Sequence, residues 1–396
     1  MNRRVVLGLV VLAYPGSIGC GHFKLALDRC PATRVASGKK AVVQYLGTGG
    51  YLVTVEGKSI LLGPHFSNPS IGEVAFDHTI RTDPALLEPL LPPEANDAVG
   101  ILTGHSHYDH LLDVPYVAVK RAKHADVYGN ATMVNMLQPI VPQMSAAHRL
   151  IGLDAYAGDF IPPHLSPTGI RILPILSEHS EQLTLSLPFG IAKWPIHMFR
   201  GHQEEPQTEL PRTASDWAEG TVLAYLIDFL DANGDPIFRV YYQDSGSNAP
   251  RGMIPWDKAG TKKVDVALIC AGGDTERLHE HPKAIIEDAK PRYVILGHWE
   301  DIFRTQRAPC DEPKKSARKV HAIPNSHFDV RQLIGKTETE RFQDKARDAL
   351  RAVDGEAVYL PCPTGSRFEL PIGGNTARPE KDRPQNICSK FNLRTR

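Results

Sequence analysis

Short apolar runs separated by glycine, proline and acidic turns set the pattern of this chain. Val42, Val43, Tyr45 and Leu46 lead into Gly47-Thr48-Gly49-Gly50, a second run covers 51–55, and a turn at Glu56-Gly57-Lys58 opens a third at 59–62. Spacing of this kind predicts a strand followed by a hairpin. Residues 99–102 read as a short buried strand, and 114–122, 125–128 and 131–137 as helix, strand and helix. The second half repeats this logic. A strand at 170–177 is followed by a hairpin of 221–229 and 238–243 about Asn233-Gly234-Asp235, a buried strand at 264–270, a helix at 284–289 and a strand at 293–296. An amphipathic helix at 340–353 and a strand at 357–360 complete the series. Such alternation predicts a layered α/β fold.

Between these runs lie three segments of other character. Residues 67–95 are rich in Pro, Asn and Asp and read as a loop with a short helix at 85–91; 183–218 read as a Pro- and Glu-rich insertion; 366–396 read as an irregular tail. At the other end, Arg3 and Arg4 precede an apolar run at 5–14, too short to span a bilayer as an ordinary helix and laid out as an export signal. It closes on Ser17-Ile18-Gly19-Cys20, which resembles a bacterial lipobox, although Ser17 stands where Leu is usual. The expectation is an export signal over 1–20 and a mature chain in the cell envelope, anchored to the membrane through a lipid on Cys20; an ordinary cleaved signal or an uncleaved anchor is the alternative.

Composition adds exclusions. Lys+Arg and Asp+Glu balance at 45 each in 396 residues, so no basic field points to nucleic acid. Five cysteines besides Cys20 (Cys30, Cys270, Cys310, Cys362 and Cys388) include no CxxC pair that would mark a zinc knuckle or redox centre. No GxSxG elbow, phosphate-binding glycine loop or dinucleotide fingerprint is present.

The chemistry concentrates at the end of the 99–102 strand. His105, His107, Asp109 and His110 place four metal-capable side chains in six positions. Burying them unligated would leave several donors and acceptors to satisfy in a small volume, which makes metal binding the cheaper explanation. Further candidates stand at other strand ends: His179 after 170–177, Asp244 after 238–243 and His298 after 293–296. Taken alone, Asp244-Ser245-Gly246 also reads as an Asx turn opening a loop. His202 competes with His179; the cleaner alternation of the strand before His179 favours the latter. His197, His202 and Trp217 would wall a cleft or cover the sheet, and Trp299 would wall the pocket.

The HSHYDH segment matches the HxHxDH signature of the metallo-β-lactamase-fold superfamily of metallohydrolases, and the later His, Asp and His follow in that family's order. The resemblance covers roughly 41–365 and implies a four-layer αββα sandwich. It further implies one divalent ion on His105, His107 and His179, a second on Asp109, His110 and His298, and Asp244 bridging them. Zinc suits this nitrogen and oxygen ligand set, as do iron and manganese. The implied activity is hydrolysis by a metal-bound hydroxide, with Asp109 passing a proton. Family members usually carry Asp immediately before the proline of Gly63-Pro64; here a glycine stands there, and something else must orient the histidines. His65, two positions on, could help in this, but reads first as a surface or capping residue. His279, His281, His321 and His327 lie in polar contexts and read as exposed.

Substrate class is less constrained. Motif order and the export signal are loosely similar to the branch of N-acyl-phosphatidylethanolamine phospholipase D, which implies an ester or phosphodiester in a small or lipid-like substrate. A lactonase or β-lactamase-like amidase is the alternative within enzymes, and a non-catalytic metal-binding lipoprotein the alternative outside them.

Overall fold

The computed structural model describes residues 38–180, 199–270, 280–298 and 365–373, with Leu278 and short strand segments at 24–25, 183–186, 193–196, 320–321 and 357–359. The export signal expected over 1–20, the helix expected at 340–353, His197, His279, His327, Trp299 and every cysteine except Cys270 lie outside the described residues.

The period-two runs form two sheets of matching connectivity. In the first, β1 (Lys40–Gly47), β2 (Gly50–Val55) and β3 (Lys58–Leu62) make an antiparallel meander, after which β3, β4 (Ala98–Leu102), β5 (Asp126–Gly129) and β6 (Leu150–Gly152) run parallel. The β2–β3 turn needs two residues at positive φ, and Glu56 (47°) and Gly57 (79°) supply them. In the second, β7 (Ile170–Leu176), β8 (Leu223–Leu230) and β9 (Pro236–Gln243) are antiparallel, and β9, β10 (Val266–Cys270), β11 (Tyr293–Gly297) and β12 (Ala357–Tyr359) are parallel. Two strands of these sheets depart from the sequence reading, β6 and β13 (Arg367–Pro371). β13 pairs antiparallel with β1, so the tail expected from 366 begins with an ordered strand of the first sheet. Alternation explains it: Phe368 and Leu370 are buried while Arg367, Glu369 and Pro371 are partly exposed.

Alternate residues of each strand face two different cores. Between the sheets, Val43, Val53, Ile60 and Leu62 meet Ile172, Tyr225, Val240, Leu268 and Ile295. On the outer face of the first sheet, Leu52, Leu61, Ile101 and Val127 pack under α1 (Pro84–Leu90), α2 (Tyr108–Leu111), α3 (Val114–Tyr116) and α4 (Ala131–Met136). On the outer face of the second, Leu173, Leu226, Ile269 and Leu296 pack under α5 (Trp256–Ala259) and α6 (Lys283–Ala289). The architecture is therefore an αββα sandwich. Each large apolar side chain taken out of water contributes roughly 1.5–3 kcal/mol, which is what holds the layers together. The helix expected at 114–122 continues from α3 as a π turn through Arg121. Trp217 is buried in the outer core of the first sheet, covering it and not walling a cleft, whereas His202 is exposed.

A buried ion pair sits away from the strand ends that carry the histidines: Arg239 Nε donates to Asp228 Oδ1 at 2.6 Å, and its other nitrogens reach the carbonyls of Lys262 and Ala259. Each of the three guanidinium nitrogens is engaged, and the pair is structural. The carboxyl ends of β3, β4, β7, β9 and β11 deliver Gly63, His105, His179, Asp244 and His298, and open α/β sheets place their sites at such ends.

Candidate metal centre

The histidine loop is held by both sheets. Gly104 accepts the Leu223 N–H at 2.8 Å, Thr103 accepts the Tyr225 hydroxyl at 2.7 Å, and the Ser106 N–H reaches the Glu219 carbonyl at 3.0 Å. α2 then starts directly after His107, which brings Asp109 and His110 onto the first turn. Behind it, the Asp113 carboxylate accepts the Phe66 and Ser67 N–H groups at 2.6 and 2.8 Å and fixes the segment that follows Gly63.

His105, His107 and His179 form a triangle of rings with centroids 4.7, 4.7 and 4.8 Å apart. Each ring is tied on its inner nitrogen. His105 Nδ1 stands 3.0 Å from Asp244 Oδ1, His179 Nδ1 meets the Ser180 carbonyl, and His107 bonds the Phe199 carbonyl. Meanwhile Nε2 of both His105 and His107 is buried with no hydrogen-bond partner among the described residues. Tied Nδ1 and open, converging Nε2 is the arrangement imidazole ligands need. These three residues offer ligand atoms that all lie within 4.8 Å of one another.

A second group is tighter. His298 Nε2 lies 3.2 Å from His110 Nε2 and 3.3 Å from Asp109 Oδ2, and His110 Nε2 lies 3.5 Å from the same oxygen. Donors around a tetrahedral ion with bonds near 2.0–2.1 Å are about 3.3 Å apart, so the triangle fits a divalent cation. His298 reaches it from a left-handed backbone (φ 58°), a conformation that bulky residues hold only where the surroundings enforce it. Asp244 lies between the groups, with His105 and His110. Its Oδ2 accepts the Gly104 N–H at 2.7 Å and is 3.8 Å from His110 Nδ1.

The electrostatics favour neutral ligands. Burial, reinforced by neighbouring imidazoles, holds His105, His107 and His110 well below the usual histidine range. Burial would raise Asp109, but His110 and His298 outweigh it and keep the carboxylate ionised. For Asp244 burial wins over His110 and the Gly104 N–H, and its range is raised.

All seven residues singled out in sequence are thus brought to one place, and His202 is not. Two other readings need correction. His65 is fully buried with Nδ1 3.9 Å from Asp113 Oδ2, because the loop after Gly63 folds inward under α2. His281 is also buried, its Nε2 2.7 Å from the Cys270 carbonyl, because its segment packs on the end of β10. The sequence reading missed Glu219, whose Oε2 is 3.9 Å from His107 Nε2 and whose pKa is pushed up to about 7 by burial, against the pull of Arg200. It also missed Phe199, whose ring is 6.2 Å from that of His107. Only their place just before a strand-opening glycine and beside Arg200-Gly201 could have drawn notice.

Neither a protein family nor a curated protein matches the chain in sequence. Solved structures are similar to it at low identity. Igni18, a metallo hydrolase from the archaeon Ignicoccus hospitalis KIN4/I, is 14% identical over 84% of this chain and 100% of its own (TM-score 0.44). YhfI from Bacillus subtilis, a metallo-beta-lactamase fold protein, is 14% identical over 83% and 99% (TM-score 0.41). The diiron beta-hydroxylase CmlA from Streptomyces venezuelae is 12% identical over 85% of this chain and 55% of its own (TM-score 0.43).

Proposed function

We propose that this chain is a metal-dependent hydrolase with a binuclear centre, acting on an ester or phosphodiester. The observation that carries the reading is the triangle of His298 Nε2, His110 Nε2 and Asp109 Oδ2, with sides of 3.2–3.5 Å, beside three histidines tied through their inner nitrogens. His105, His107 and His179 would hold one ion, Asp109, His110 and His298 the other, and Asp244 completes the set. When bound, divalent ions supply Lewis acidity, acidifying water and polarising a substrate oxygen. The chain's own groups do the rest. The neutral imidazoles keep their Nε2 lone pairs available near neutral pH. The ionised Asp109 carboxylate would give Oδ2 to the ion, which leaves Oδ1 to accept a proton or pass it on. Glu219, with a pKa near 7 in the metal-free chain, holds an exchangeable proton at the His107 edge. The Phe199 ring stands edge-on to that of His107, 6.2 Å between centroids. The signal-like pattern of 3–20, ending on Cys20, would put the protein on the outer side of a membrane, where a lipid-like substrate would be at hand.

The test is metal content per chain by elemental mass spectrometry on protein beginning after Cys20, prepared without chelators, followed by parallel panels of phosphodiesters, esters, lactones and β-lactams. About two equivalents of zinc, iron or manganese with phosphodiester or ester turnover lost in His107→Ala is the expected result. Turnover confined to lactones or β-lactams would move the assignment to the amidase and lactonase class. Metal without turnover on any panel would favour a metal-binding lipoprotein.

A further inference from the structure

The donors of the tighter triangle come from opposite sheets. Asp109 and His110 stand on α2, after β4 of the first sheet, whereas His298 follows β11 of the second. The sides of that triangle therefore depend on what fixes His298 against the first sheet, and two tyrosines of that sheet meet it. Tyr45 and Tyr51 are direct partners across the β1–β2 hairpin, with ring centroids 5.2 Å apart, and both are buried in the core between the sheets. The Tyr45 hydroxyl accepts the His298 N–H at 3.4 Å. A Cβ on Gly297 would overlap the Tyr51 hydroxyl and lie 3.1 Å from Tyr51 Cζ and 3.3 Å from Tyr45 Cε2, so the two rings occupy the space that a side chain before His298 would need.

We propose that Tyr45 and Tyr51 are positioning residues for one of the two ions, holding His298 in its left-handed backbone so that Nε2 meets His110 Nε2 and Asp109 Oδ2 at 3.2 and 3.3 Å. This inference rests on the binuclear reading above. A residue with a side chain keeps a φ of 58° only under constraint, and the tyrosines supply it: one engages the His298 N–H, the other closes the space behind Gly297. The turn between them closes on the same ligand. A Cβ on Gly49 would lie 3.5 Å from Cβ and Cδ2 of His298 and 3.7 Å from His110 Cε1. From the second sheet, the Tyr242 hydroxyl donates to the Gly49 carbonyl at 3.2 Å and ties that turn in place. These contacts fall at the end of β11, whereas His105, His107 and His179 leave β4 and β7, so loosening the tyrosines acts on one ion and spares the other. Losing a group that orients a ligand weakens metal binding about 10–100-fold without removing the ligand.

The experiment titrates cobalt(II) into chelator-treated full-length protein, following bound metal per chain and the visible d–d spectrum. Wild type must bind two ions; if it binds fewer, the binuclear reading itself fails and this inference falls with it. His298→Ala and His179→Ala, each short of one ion, identify which bands belong to which ion. In Tyr45→Phe/Tyr51→Phe we expect both ions at saturation, with the His298 ion bound about 10–100-fold more weakly and its bands shifted, and the other within about twofold of wild type. Gly297→Ala should weaken the same ion, and adding Tyr51→Phe, which removes the atom the new methyl strikes, should restore its affinity about threefold or more. Equal weakening of both ions would describe a general loosening of the core and overturn the proposal. Unchanged affinity for both would do so as well, since His298 would then hold its place unaided. Circular dichroism melts select the folded variants. If the double tyrosine variant does not fold, the Gly297→Ala pair decides: recovery supports the proposal and its absence overturns it.

Discussion

Asn130 accepts the Ser106 hydroxyl at 2.7 Å through the same Oδ1 that caps the N-terminus of α4 at the Met133 N–H, also at 2.7 Å. Its Nδ2 donates to the carbonyls of Glu219 and Thr221, so one side chain ties the histidine loop, a helix and the segment entering β8.

Replacing Asn130 with Ala removes a helix cap and leaves a buried hydroxyl and two carbonyls without their donor or acceptor. Losses of this kind together amount to about 2–4 kcal/mol. Urea unfolding of metal-free Asn130→Ala is expected to show that decrease, with Asn130→Asp, which keeps the cap but not the donors, in between. A change below about 0.5 kcal/mol, the range of ordinary surface substitutions, would contradict the assignment.

His179 and His202 are separated by their surroundings: the first stands 4.7 Å ring to ring from His105, the second is exposed. Metal content of His179→Ala should fall by about one equivalent, while His202→Ala keeps the wild-type value. The opposite pattern would place the third imidazole in the insertion.

Acidification should destabilise the metal-free protein. His105, His107 and His110 have folded-state pKa values well below 6.5, so the unfolded chain binds more protons and stability falls as pH drops below about 6.5. Each contributes up to about 1.4 kcal/mol per pH unit in that range. Glu219 acts in the other sense: its pKa is raised to about 7, so the folded state gains relative stability as pH falls from 7 toward 4.5. Thermal melts between pH 7.5 and 5.5 should therefore show a decline that steepens in Glu219→Gln. A flat profile in wild type would mean the imidazoles are not held neutral.

Much of this was readable because the signals were local. Strands such as 51–55 and 170–177 alternate over their whole length, and the four ligand candidates of 105–110 sit in one turn. His179 and His298 could be proposed because each ends a run of buried residues. What escaped depends on contacts across the fold. Glu219 is a carboxylate in a loop until Ser106 and Asn130 draw its backbone against the histidine turn. His65 follows Gly-Pro and looks like a turn residue until Asp113, in the distant α2–α3 segment, folds its neighbours inward. The three-residue β6 is too short for any periodicity to register, and β13 lies in a polar tail where only its partner β1 reveals the alternation.

The pairing of β13 with β1 also bears on how the protein is made. β1 is the first strand of its sheet to leave the ribosome, and β13 the last, so Ala41, Val43 and their unpaired backbone groups stay open through synthesis of everything between. An open edge is a template for joining another chain. Nascent molecules carry that hazard until Phe368 and Leu370 emerge to close it, which makes the last strand of the sandwich the guard of the first.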